Sequence, residues 1–254
     1  MNGPFLTMYG KLGYAVVAPD YAGLAANGRN AVMDIESNAN DVIYAVAAAR
    51  TAVPQLGRRW LVLGESMGAA AALAVAEQES KFHDSEFLGS VAIGDIAELQ
   101  PSFPKQSART AALFAYAVKT IYPDAQVRDI LTDAGLAIYQ RIEESCDNAD
   151  LEPQPAASAL RPNWESHTSV KQFLERNQLG AVKAGGPLFV LGYEGSAHSA
   201  TSAHTVDQLC ERGDRVEYRQ YAVSPGTLLG STVRDQMAWI QDRFAGRPAP
   251  STCQ

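Results

Sequence analysis

Gly64-Glu65-Ser66-Met67-Gly68 follows the pattern G-x-S-x-G and stands between a short apolar run at 60–63 (WLVL) and an Ala-rich segment at 67–77. A serine so placed is a candidate nucleophile for acyl transfer. The two glycines permit a sharp turn from strand to helix, which holds Ser66 in a strained conformation with its hydroxyl exposed above the sheet edge. The helix beneath offers free N–H groups, and the backbone N–H of Met67 is positioned to stabilise an oxyanion. A glycine-rich turn with a capping serine is the plainer alternative; the strand before and the helix after favour the nucleophile elbow. A serine hydroxyl is a weak nucleophile without an adjacent base, so the chemistry also needs an imidazole. The chain has four: His83, His167, His198 and His204. His83, in the polar stretch KFHDSE, and His167, in a long helical insertion, read as surface histidines.

The elements that must position these groups follow from hydrophobic periodicity. Residues 14–18 (YAVVA), closed by Pro19-Asp20, read as a strand buried on both faces. From 34 to 52 the apolar residues Ile35, Val42, Ile43, Val46 and Ala49 recur at helical spacing. Residues 60–63 form a second buried strand, the Ala-rich 67–77 a strong helix, and 90–94 (SVAIG) a third strand. Helix and apolar strand in alternation imply βαβ crossovers and a mostly parallel sheet flanked by helices, an α/β fold. From 95 to 185 the pattern changes to helical stretches, at 111–119 and 127–144, plus a Pro-rich joint LEPQPAASALRP. The sheet resumes with a strand at 187–191 (PLFVL), a helix at 202–212, a strand at 215–221 and a helix at 232–244. The expected division is therefore 1–94 and 186–254 as two parts of one core, with 95–185 as a helical insertion.

Composition narrows the function classes. With 46% hydrophobic and 19% charged residues, the chain has the make-up of an ordinary globular protein. A net charge of -7 disfavours phosphate-tracking nucleic-acid binding and adhesion to anionic lipid, which points to a small-molecule partner. No run of 18 apolar residues exists, and the first residues carry neither a basic leader nor a small-residue cleavage site, so neither a membrane span nor an export signal is expected. Cys146, Cys210 and Cys253 have no metal-ligand spacing. Cys210 and Cys253 flank the last sheet elements and suit either one bridge pinning the tail or two thiols. Cys146, in EESCDNAD, has no basic neighbour to lower its pKa.

The segments YAVVAPDYAGL, GESMG, IYPDAQVRDILT and DQLCERGDRVEYRQY together span nearly the whole chain. Through them it resembles the α/β-hydrolases, specifically the cap-bearing secretory-type lipases of bacteria and fungi. The resemblance implies an ester hydrolase without cofactor or metal, a secreted location, and a helical cap over the site. Phe103, Leu113, Phe114, Tyr116, Ile121, Tyr122 and Trp164 would then line an acyl pocket or glue the cap to its core. Asp20, in the PDY turn, matches a family motif that holds a loop together.

Three departures from the family pattern shape the expected site. Relatives have earlier strands and a His-Gly-rich loop that supplies a second oxyanion donor, so this chain is expected to be shortened at its N-terminus, with an open sheet edge. In relatives the loop after the strand matching PLFVL carries the triad aspartate; by register that position is Ser196, and Glu194 lies two residues earlier. A glutamate serves the same role, orienting and stabilising an imidazolium. A solvated loop carboxylate is the alternative. Relatives place the histidine after the strand matching VEYRQY, but Ala222 to Thr227 contain none and no histidine follows His204. His198 and His204 lie in and just after the loop used for the acid, at the carboxyl end of the sheet. The order Ser66, Glu194, His198 preserves the sequence nucleophile, acid, base. The expected catalytic set is Ser66, Glu194 and His198, with Met67 N–H at the oxyanion and His204 as a second candidate base. The alternative is a weakened or inactive hydrolase-fold protein that binds an apolar ligand.

Overall fold

The computed structural model describes residues 3–24, 28–82, 84–94, 103–144, 154–195 and 199–253. Helices α1 (Gly3–Lys11) and α2 (Ile35–Ala52) precede strand β1 (Trp60–Glu65), helix α3 (Met67–Phe82) and strand β2 (Phe87–Ile93). Five helices follow: α4 (Ala108–Ile121), α5 (Val127–Ile130), α6 (Asp133–Glu144), α7 (Ala156–Ala159) and α8 (Thr168–Arg176). The chain closes with β3 (Leu188–Tyr193), α9 (Ser199–Glu211), β4 (Val216–Tyr221), α10 (Leu228–Ser231) and α11 (Val233–Phe244). The four strands form one parallel sheet in the order β1-β2-β3-β4.

Period-2 alternation divides the strand side chains between two apolar layers. Trp60, Val62, Ala92, Leu188 and Val190 pack with α2, α3 and the 103–179 helices, whereas Val91, Ile93, Phe189 and Leu191 pack with Tyr9 of α1 and Trp239 and Ile240 of α11. α3 suits its layer because nine of its first ten residues are Ala, Leu, Val or Met, strong helix formers or small enough to lie close against the sheet. α4 starts at a reciprocal capping box: the Ser107 side chain accepts the Thr110 N–H, and the Thr110 side chain accepts the Ser107 N–H. The 103–176 helices share one continuous buried core with the sheet layer; Phe114 meets Trp164 and Phe173 edge-on at 5.3 and 5.5 Å. Asp34, fully buried, accepts Arg176 Nε at 2.8 Å and Nη2 at 3.1 Å, and Asn177 Oδ1 accepts the Ile35 N–H, so the end of the insertion is tied to the start of α2.

The structure departs from the sequence expectations in three places. Residues 14–18 form no strand: Val16 and Val17 are 44% and 46% exposed, and no described strand runs beside them. A β-branched run becomes a strand only where a neighbour satisfies its backbone groups and a half-buried surface accepts its side chains. α1, not anticipated, lies against α11 instead, with the Tyr9 hydroxyl donating to buried Gln236 Oε1 at 3.1 Å. The helix expected over 127–144 breaks at Leu131, whose extended backbone pairs antiparallel with Leu160. Thr132 N–H then donates to Ala159 O, and Thr132 Oγ1 accepts the Gly135 N–H to start α6. Full burial of Leu131 accompanies the break.

Candidate functional site

Ser66 is the hinge of the turn from β1 into α3. Its φ of +57° lies in the left-handed region, a conformation that costs a non-glycine residue about 1 kcal/mol or more and persists only where its surroundings enforce it. The Ser66 N–H donates to Ile93 O at 2.9 Å, and the Ser66 carbonyl accepts the Ala69 N–H at 2.8 Å, so β2 on one side and the first turn of α3 on the other hold the residue. A Cβ on Gly64 would fall 1.9 Å from Gly68 O, which makes glycine obligatory there. A Cβ on Gly68 would meet nothing within 4 Å, so of the two glycines expected to permit the sharp turn only the first is sterically required. Ser66 is exposed, and the Met67 N–H precedes the first hydrogen bond within the 16-residue helix, at the positive end of its dipole. Glu65, half-buried beside it, has its carboxyl pushed up by burial.

The carboxyl ends of β2 and β3 complete this side of the sheet. Gly94, just past β2, adopts φ +111° and donates its N–H to Leu191 O at 2.7 Å. A Cβ there would lie 3.5 Å from Ser66 N, 3.7 Å from Ser66 Cα and 3.7 Å from the Tyr193 hydroxyl, so a glycine keeps open the space between the elbow and that phenol. Sequence reasoning passes over both residues; a glycine closing the run SVAIG is the available signal. Glu194 is exposed directly after β3, with its N–H donating to Tyr221 O at 3.0 Å, and Gly195 follows at φ +67°. Ser196 and His198 lie outside the described residues, as do His83 and Cys146. His204 sits exposed in the second turn of α9. His167 precedes α8, its Nδ1 3.8 Å from Asp129 Oδ2, within the helical segment. After β4, where relatives of the expected type carry histidine, the chain makes a short turn in which Ser224 Oγ and Thr227 Oγ1 are 3.1 Å apart.

Of the apolar residues expected to line or glue the cap, Phe103, Phe114 and Trp164 are buried in the common core, and Leu113, Tyr116, Ile121 and Tyr122 pack against it. They glue. A surface cavity of about 560 Å³ is lined by Lys105, Thr132, Leu160, Arg161 and Trp164 among others, and none of the elbow residues borders it. Cys210 and Cys253 form a disulfide. Among the described residues no three His, Cys, Asp or Glu side chains gather in a way that could hold a metal ion, and no helix is long and apolar enough to cross a membrane.

The comparisons with known proteins accord with this geometry. The profile of a hydrolase family described as serine aminopeptidase, S33, matches residues 6–179. No curated protein matches the sequence. Among solved structures, a putative hydrolase from Legionella pneumophila superposes with a TM-score of 0.76 at 16% identity, over 94% of this chain and 72% of that one. The rice cell wall degrading esterase LipA from Xanthomonas oryzae gives 0.70 at 17%, over 88% and 69%. Candida antarctica lipase A gives 0.66 at 14%, over 88% of this chain and 57% of the lipase. At such identities the likeness establishes the fold. Together with the family match over more than half its length, it makes this chain a member of the serine aminopeptidase S33 family of α/β-hydrolases.

Proposed function

We propose that this hydrolase is a carboxylic ester hydrolase working through an acyl-enzyme. The observation that carries the reading is Ser66, exposed at φ +57° between a parallel strand and the N-terminus of a 16-residue helix. The fold neighbours named as an esterase and a lipase point to the ester bond. Ser66 Oγ attacks the ester carbonyl carbon while His198 takes its proton, and Glu194 orients the imidazole. The Met67 N–H stabilises the oxygen that becomes negative. Collapse of the intermediate breaks the bond to the leaving oxygen, which receives the proton from His198. Water then attacks the acyl-enzyme by the same route and releases the acid. Short to medium acyl esters or lipid-like esters are the substrate class, residues 95–185 form the cap, and no cofactor takes part. The Cys210–Cys253 disulfide supports an oxidising, extracytoplasmic setting.

The experiment is covalent labelling of the intact chain with a fluorophosphonate probe, alongside Ser66→Ala, His198→Ala and His204→Ala. Labelling of the intact chain that disappears in Ser66→Ala and falls by at least about a hundredfold in His198→Ala is the expected outcome. Loss in His204→Ala instead reassigns the base. The turn after β4 has no histidine, and that favours one second reading, a weakened hydrolase-fold protein that binds an apolar ligand. An intact chain that never labels, yet takes up a fatty-acid analogue, supports it.

A further inference from the structure

The hydroxyl of Tyr193 and Cα of Ser66 both border one small space beside Gly94. Each is 3.7 Å from the position that a Cβ on Gly94 would occupy. The space exists because β2 is followed by Gly94 at φ +111°, a conformation that only glycine adopts without strain, and the Gly94 N–H fixes this point to Leu191 O at 2.7 Å. Tyr193 is held from the other end. Its backbone is the last residue of β3, paired with Tyr221 of β4, and its ring packs against the apolar layer of Ile93, Phe189 and Leu191. The phenol therefore reaches from β3 across the end of β2 toward the elbow of β1, on a two-torsion side chain whose ring is already packed.

Resting on the reading of Ser66 as nucleophile, we propose that Tyr193 is a further catalytic residue, whose hydroxyl donates a hydrogen bond to the leaving-group oxygen during acylation. The direction of approach assigns the role. In the proposed mechanism the oxyanion faces the N-terminus of α3, where the Met67 N–H is positioned; the phenol comes instead from the end of β3, which leaves it the leaving oxygen. Tyr193, the last residue of β3, stands immediately before Glu194, the acid of the proposed mechanism. No proton is transferred by the phenol. The Ser66 Oγ–carbon bond forms, the carbon–oxygen bond to the alcohol breaks, and the proton still travels from Ser66 through the base to the alcohol. The phenol bears part of the negative charge that builds on the departing oxygen before that proton arrives, which matters most for a poor leaving group.

Two esters of one acid test this, ethyl butyrate and p-nitrophenyl butyrate, with kcat/KM measured for the intact chain and for Tyr193→Phe. Both esters give the same acyl-enzyme, so the comparison isolates acylation. Tyr193→Phe is expected to lower kcat/KM about a hundredfold for the ethyl ester and less than about threefold for the p-nitrophenyl ester, whose leaving group needs no hydrogen bond. Partial loss of folded protein scales both rates alike and leaves their ratio unchanged. Equal losses on the two esters, or no loss on either, overturn the proposal. An intact chain with no Ser66-dependent labelling overturns the underlying ester-hydrolase reading, and this proposal with it; Ser66-dependent labelling with an unchanged ratio overturns the Tyr193 role alone.

Discussion

The two edges of the sheet are finished in opposite ways. At β4 a Pro-containing tail with little strand propensity runs along the outer edge: the Thr252 N–H donates to Val216 O at 2.8 Å, and Thr252 Oγ1 accepts the Tyr218 N–H at 3.0 Å. The Arg215 guanidinium bonds Ala249 O, and the disulfide joins the tail to α9. At β1 no described strand pairs with the outer edge, and the run YAVVA, which has every local feature of a strand, has no described strand beside it and is exposed from Ala15 to Ala18. Edge closure here follows from available backbone partners and a covalent tie rather than from propensity.

Breaking the covalent tie is the largest perturbation. The Cys210–Cys253 disulfide closes a loop of 43 residues, for which the chain-entropy estimate is about 4 kcal/mol. Cys210→Ser with Cys253→Ser is expected to lower the denaturant midpoint accordingly, and to raise amide exchange at Thr252 and Tyr218. Exchange unchanged at those two amides would show that hydrogen bonds alone close the β4 edge.

Next is a carboxyl on the same side of the molecule. Glu77 of α3 accepts the Gly180 N–H at 2.7 Å, while Asp214, before β4, accepts the Ala184 N–H at 2.9 Å. Burial raises Glu77 to about 7, with the Asp214 charge adding to the rise and Arg212 opposing it; Asp214 is itself raised by burial, against Lys183 and Arg212. The native state therefore holds a proton that the unfolded chain has already lost. The stability so contributed is complete below the ordinary glutamate range near 4.5 and is lost as pH climbs to about 7. Glu77→Gln, which keeps an acceptor for Gly180, should flatten the fall in stability between pH 5 and pH 8, recovering up to about 3 kcal/mol at the upper end. Denaturant midpoints for both proteins at both pH values are the measurement, and parallel pH profiles would exclude Glu77.

The smallest effect belongs to the open edge. Val16→Lys with Val17→Lys should alter stability by no more than about 0.5 kcal/mol, since both side chains already face solvent. A cost of several kcal/mol would mean that residues 14–18 pair with the sheet in solution.

Much of the architecture is legible in the sequence because it rests on local periodicity. The strands at 60–65, 87–93 and 188–193 coincide with short apolar runs and that at 216–221 with the β-prone VEYRQY, while α2, α3, α9 and α11 match the helical segments between and after them. The turn at Ser66 is legible for the same reason: Gly64, two residues before it in G-x-S-x-G, tolerates no side chain, and the steric cause is the Gly68 carbonyl in the first turn of α3. The identity of the base is not legible in this way, because the distance from an imidazole to Ser66 depends on how loops far apart in sequence come together.

By itself, then, the sequence determines the α/β alternation, the four strands of the sheet and the strained turn that presents Ser66. These depend on each segment's own backbone preferences and side-chain period. Tertiary structure alone decides that YAVVA remains unpaired, that the helix over 127–144 breaks so that Leu131 can meet Leu160, that Cys210 finds Cys253, and that the Tyr193 hydroxyl and Ser66 both come beside Gly94. Each of these outcomes depends on a partner remote in sequence, and a partner's position is set only when the apolar layers pack and the backbone groups at their margins are shared out.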